Sequence, residues 1–325
     1  MSDGPDSSAA DRETPAIPAL GLPKPAGLAA GPAAAGQASP SLARLNDMVV
    51  VTLGAVQRDW LRGLYHARPT GDGSGDLVDR AAERTDHVEL RRQINIEAVL
   101  QRALRILPET VDEGTPDLDW AARFFNAVSD TADVEFSRLW ARLLVIEVRR
   151  PGAVPSNTLQ RLPGLSKEAL RLFSRFAAFA ISNFVIRLEQ EFFDRKDVTG
   201  DQILLLEEYG LVRTNRDLNR VFQSQRSDRF STNLLYADKA LRITHDDPGK
   251  QLSLPCYRLT EAGTTLARAL FEEGEIRADT DYIVEIVRTV QRQGFHTAQA
   301  DILERSDEQI VSKHSPFCDI AVLRR

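Results

Sequence analysis

Cysteine is nearly absent from this 325-residue chain, which has only Cys256 and Cys318. Two isolated cysteines build neither a disulfide framework nor a zinc cluster, and such sparse use fits a reducing compartment. Histidine is almost as scarce: His66, His87, His245, His296 and His314 never pair at i, i+4, so no helical metal-ligand pair arises. Long apolar runs are also missing. The longest uncharged one near the start, Met48–Val56, falls far short of the roughly 20 residues that span a bilayer. The N-terminus lacks the basic segment and continuous apolar core of a secretory leader, so a cytoplasmic location is expected. Positive charge is not in excess either. A net charge of −6 and a pI near 5.5 give no global attraction to nucleic acid or anionic lipid.

The motifs of chemistry are missing as well. There is no nucleophile elbow, Walker loop, dinucleotide fingerprint or His-Glu-x-x-His. The glycine-rich Thr70–Asp76 segment, T-G-D-G-S-G-D, follows no strand and has the wrong glycine spacing for a phosphate loop, so it is read as a linker. The acidic run Asp112, Glu113, Asp117 and Asp119 is better explained by helix capping than by metal binding. No catalytic, cofactor-binding or metal-binding residue is expected, and the chain is read as a non-enzyme.

What is present is helical periodicity, interrupted by caps and stops. Residues 1–40 hold 7 of the 16 prolines and 11 alanines; this composition cannot offset its ordering entropy, so a disordered tail is expected. From Ser41, the residues Leu42, Leu45, Val49, Leu53, Val56, Trp60 and Leu64 form one helical stripe, giving an amphipathic helix over 41–69 and a linker over 70–76. A helical domain over 77–165 begins with a long helix, Leu77–Leu107, that stops at Pro108. Thr115-Pro116 caps a short helix with Trp120, Phe124 and Val128 on one face. Asp130 or Asp133 caps the next helix, whose apolar face is Phe136, Leu139, Trp140, Leu143 and Leu144. Both tryptophans are expected to be buried, each against the other's helix.

Ser156 and Ser166 are candidate caps for two more helices, the second a core helix over Lys167–Ile181. A β-prone run follows at Phe184–Leu188, then a Thr199-capped helix to Tyr209. Leu241–Thr244, the turn H-D-D-P-G-K and Leu252–Leu259 read as a hairpin, after which Thr260 caps another helix. Helix, strand, helix, hairpin and helix in this order give a winged-helix-like α+β domain over 166–274. A last helix, Asp281–Gln293, and a tail with one short strand at Asp301–Leu303 complete residues 275–325. The fold expected is mainly α, with a winged-helix-like end.

One segment is dense enough to suggest a family. Arg91-Arg92-Gln93-Ile94-Asn95-Ile96-Glu97, Asp119-Trp120 with Phe124-Phe125, Leu139-Trp140-Ala141-Arg142-Leu143-Leu144 with Glu147, and Pro151-Gly152, together with the earlier V-V-V-T-L-G-A-V, resemble a bacterial family catalogued as a domain of unknown function. The resemblance covers Ser41 to Leu270. It implies a mostly helical cytoplasmic protein and brings no catalytic residues. In layout alone, the chain is also similar to the abortive-infection alpha group of phage-resistance proteins.

The helix in the recognition position of the winged-helix-like domain carries Asp201, Glu207 and Glu208 and no Lys or Arg. Phosphate contacts dominate DNA affinity, so such a helix is repelled from a duplex. The opposing feature is the stretch Leu211–Phe230, with Arg213, Arg216, Arg220, Arg226 and Arg229 as candidate nucleic-acid or partner contacts. The preferred reading is an interaction or regulatory protein whose winged-helix-like module binds a protein partner or a second copy. The alternatives are an abortive-infection component, with peripheral membrane contact through the 41–66 helix, and a DNA-binding regulator.

Overall fold

The computed structural model describes residues 40–65, 77–115, 117–224, 226–274, 276–277, 279–307 and 310–320. The expected disordered tail and the Thr70–Asp76 linker lie outside the described residues, apart from Pro40. Two compact units divide between Val88 and Glu89, a point inside helix α3 (Leu77–Leu104).

In the first unit the expected single helix is two, α1 (Pro40–Leu53) and α2 (Ala55–Tyr65). Gly54 separates them at φ +99°, a conformation open to glycine but strained for residues with a Cβ. The His87 ring lies against Gly54, where a Cβ would come within 3.2 Å of it. The Gln57 side chain donates to the Arg80 carbonyl at 2.8 Å, and Arg80 sits over the Trp60 ring. The apolar stripe is therefore broken at Gly54, and two of its members before the break, Leu45 and Leu53, are 44% and 37% exposed. The side chains of Leu42 and Leu64 lie outside the described residues.

In the second unit, α4 (Leu118–Ser129) and α5 (Val134–Arg149) form the centre of the helical layer. Their caps differ from expectation in part. Asp117, rather than Thr115, caps α4 and accepts from the Asp119 amide. Asp133 caps α5 through the Glu135 and Phe136 amides, while Asp130 closes α4 and pairs with Arg91 and Arg92. Trp120 stacks on Phe124 at 5.1 Å, and Phe124 meets Trp140 edge to face at 5.3 Å. The two tryptophans are buried as expected, joined through the phenylalanine between them.

The family-like residues here are structural. Buried Asn95 donates to the Ser129 carbonyl at 2.7 Å, satisfying the end of α4. Buried Glu147 accepts from the Gly152 and Val154 amides at 2.7 and 2.8 Å, folding the Pro151-Gly152 turn back onto α5. After it come α6 (Ser156–Arg161) and a short 3₁₀ turn (Leu162–Gly164). Ser156 is the first helical residue of α6 and makes no side-chain cap; Pro155 holds that position, and its backbone is extended. Ser166 does cap α7 (Lys167–Ala177). That helix ends before Ile181, because the backbone there bridges to Phe184.

The sheets depart furthest from expectation. β1 (Phe184–Ile186), α8 (Gln190–Asp194), α9 (Gly200–Glu208), β2 (Val212–Arg213) and β3 (Asn219–Phe222) come first. β4 (Phe230–Tyr236), β5 (Lys239–His245) and β6 (Leu252–Leu259) follow, then α10 (Glu261–Glu273), α11 (Thr280–Arg292), β7 (His296–Asp307), β8 (Ile310–His314) and β9 (Cys318–Asp319). One antiparallel sheet has the order β1–β6–β2, with β3 also on β6; the other runs β4–β5–β7–β8, with β9 on β7. The expected hairpin between Leu241–Thr244 and Leu252–Leu259 does not form. Leu241 pairs with Leu234 and Gln299, whereas Leu252 pairs with Phe222. Both edges of β5 are taken by β4 and the distant β7, and the six residues after His245 carry the chain across to the other sheet. The short strand expected at Asp301–Leu303 is the middle of the 12-residue β7. The fold is mixed α+β.

Candidate functional site

Thr199 and Gln202 form a reciprocal capping box that starts α9. Ile203 and Leu206 point into the core. The outer face carries Asp201, Leu204, Leu205 and Glu208, all exposed. Glu207 turns the other way: its carboxylate accepts from the Thr214 amide and hydroxyl, and these bonds hold it below the usual carboxylate range. The outward acidity of α9 thus comes from two carboxylates rather than the three its sequence offers.

The five candidate arginines do not share one loop. Arg213 lies on β2 and Arg220 on β3, with Arg216 in the connection between them. That connection is pinned by Arg187, a residue sequence reasoning missed. Its guanidinium donates to the carbonyls of Asn215 (2.9 Å) and Cys256 (3.2 Å) and lies over the Tyr257 ring. Its position just past β1 carried no sequence signal, because its partners are backbone carbonyls of the β2–β3 connection and of β6, both distant in sequence. Arg226 and Arg229 both turn to Asp228, Arg226 through a fork at 3.0 and 3.1 Å, so much of their charge is answered locally.

Arg220 belongs to a different feature, a cavity of about 580 Å³ between the two sheets and α10. Its guanidinium lies 5.5 Å from the Phe184 ring and 5.6 Å from the Phe222 ring. Arg268, anchored to the Ala153 carbonyl, and Glu272, paired with Arg149 at 3.0 Å, line the same space. Two non-glycine residues on its wall, Ser182 and Ala237, hold positive φ of 57° and 50°. Such backbone persists only where surrounding structure over-determines it. The buried Cys256 thiol is pushed up by burial, and Cys256 and His245 stand on different sheets. Among the described residues no three His, Cys, Asp or Glu side chains converge on a common point, and no helix is long and apolar enough to cross a membrane.

The segments that hold this framework together, Asn95 on Ser129 and Glu147 on the Pro151-Gly152 turn, fall within a span, residues 79–284, that matches the family described as protein of unknown function DUF2806. The chain belongs to the DUF2806 family. The DUF2806 span runs from the start of α3 into α11, taking in the whole β1–β6–β2 sheet and leaving out α1, α2 and β7–β9. The expected reach of the resemblance back to Ser41 is therefore shortened, and V-V-V-T-L-G-A-V precedes the match. No curated protein and no solved structure matches the chain.

Proposed function

We propose that this DUF2806 protein is a non-enzymatic regulatory or scaffolding protein whose α7–β6 region is a winged-helix-like module that docks a protein partner. The sheet order supports the module: a first strand at one edge, the last strand in the centre and the strand after α9 at the other edge, with α7, α8 and α9 in the helical positions. On this reading β4 and β5 are an insertion in the wing, paired outward with β7. The observation that carries the binding mode is the outer face of α9, where Leu204 and Leu205 are 52% and 38% exposed between Asp201 and Glu208. An acidic face with apolar residues suits a basic, apolar protein surface and repels a phosphate backbone.

A DNA-binding regulator is the second reading, supported by exposed Arg213, Arg216 and Arg220 on β2, β3 and their connection. The two separate cleanly. Fluorescence anisotropy with a duplex of about 20 base pairs at low salt should give no saturable binding. A photo-crosslinking residue at position 204 should capture a protein in cells, and Asp201→Lys with Glu208→Lys should abolish that adduct. Saturable duplex binding whose salt slope flattens in the Arg213→Ala, Arg216→Ala, Arg220→Ala variant would overturn the proposal.

A further inference from the structure

A cleft of about 450 Å³ opens between the C-terminal end of α3 and the first half of α5. Two pairs converge on it: Arg102 in the last turn of α3 with Arg105 in the turn just past it, and Arg138 and Arg142, four apart on α5. The spacing on α5 places its pair on one helical face. Packing α3 against α5 brings the two pairs to a common space, with Ile106 and Val134 among the lining residues and no carboxylate among them.

The arrangement runs against the rest of this acidic chain. On the same helical layer several cations meet acids: Arg91 and Arg92 at Asp130, Arg150 at Asp112, Arg171 at Glu135, Lys167 at Asp133. In the cleft, Arg102 donates to the Ala98 carbonyl within its own helix. The Nε of Arg142 is buried without a hydrogen-bond partner among the described residues. Four like charges facing one space repel each other, and a buried donor left unpaired is unfavourable. A multivalent anion removes both penalties at once. Guanidinium forks match phosphate oxygens in pairs, and the volume lies within the range of small-molecule sites.

We infer that this four-arginine cleft binds a small ligand through a di- or triphosphate group. The inference does not depend on the winged-helix-like reading, because the cleft lies on α3 and α5. Inorganic pyrophosphate and ATP are the probes, titrated calorimetrically without divalent metal at ionic strength matched with sodium chloride. Both should bind saturably, ATP more tightly where the nucleoside is also held and equally where only the phosphates are. Arg105→Gln and Arg138→Gln, both at exposed positions, should keep the melting temperature and weaken binding about tenfold each, the loss of one charge-assisted contact. Arg138→Gln combined with Arg142→Gln should abolish it, and Arg226→Gln, in a loop of the other half of the unit, should leave it unchanged. No saturable binding of either probe, or binding indifferent to Arg105→Gln and Arg138→Gln, overturns the inference. So does occupancy of the cleft by duplex DNA or an acidic peptide with no response to pyrophosphate.

Discussion

At the residue scale, a few buried side chains do more than fill space. Trp140 is 0% exposed, and its indole nitrogen donates to the Thr131 hydroxyl; Trp120 donates to the Val154 carbonyl at 2.7 Å. Replacing either by Ala should cost roughly 3–5 kcal/mol in urea unfolding, as large-to-small core changes do; a variant as stable as the parent would show the site can collapse around the loss. Tyr236 joins three segments, donating to the Ala178 carbonyl and accepting from the Asp279 amide. Burial raises its phenol pKa well above the ordinary value. The folded value exceeds the unfolded one, so this stability is fully present below about pH 10 and is lost as pH rises further. Tyr236→Phe should therefore cost about 1–2 kcal/mol at neutral pH and make the fall in stability between about pH 10 and 12 shallower. Tyr282, raised in the same direction by its own burial, keeps that limb from flattening.

At the scale of elements, close approaches decide which segments pack. The amide of Gly263 donates to the Thr260 hydroxyl that caps α10, and a Cβ there would lie 2.1 Å from the Leu211 carbonyl oxygen. Backbone has to move to admit it, so Gly263→Ala should destabilise by about 1–3 kcal/mol or more, read as a lowered urea midpoint with unchanged slope. This is why the L-T-E-A-G segment carries a glycine one turn into a helix, where propensity argues against it. The β4–β5 turn has the opposite character, since Ala237 holds its φ of 50° with a Cβ attached. Positive φ costs an L-residue about 1–2 kcal/mol, so Ala237→Gly should raise stability by about 1 kcal/mol after glycine's own entropy is set against the relief. A loss instead would mean the alanine methyl is needed in the cavity wall.

On the scale of the whole molecule, the family span and the architecture do not coincide. DUF2806 ends within α11, yet β7 supplies the partner that completes the β4–β5 hairpin into a sheet. Truncation after Gly294 should therefore expose the β5 edge and the Phe295 site, where the ring packs on Phe230 at 5.0 Å. The truncated protein should be less stable and more prone to associate, measured by urea midpoint and by light scattering. Equal stability and solution mass would show that the β4–β5 hairpin stands without β7.

Local chemistry settled much of this in advance. Thr199, Ser166 and Thr260 were legible as caps because a short side chain before an apolar run satisfies amides within its own turn, and Trp120 and Trp140 were legible as core from a period of 3.6. The Arg-rich stretch was legible as charge but not as geometry: Asp228 answers two of its arginines, Arg220 enters a cavity, and Arg187 pins a connection through that connection's own carbonyls. The hairpin at Leu241 failed for the same reason. A turn sequence makes pairing of its neighbours favourable, but β5 found its partners in β4 and β7, and β6 in the earlier strands β1, β2 and β3. Arg105 and Arg138 were ordinary surface residues until helix packing set them across one cleft. Caps, stops and stripes depend on contacts within a few residues and are written in sequence; strand partners and charge clusters depend on which distant surfaces meet, and only the tertiary packing decides that.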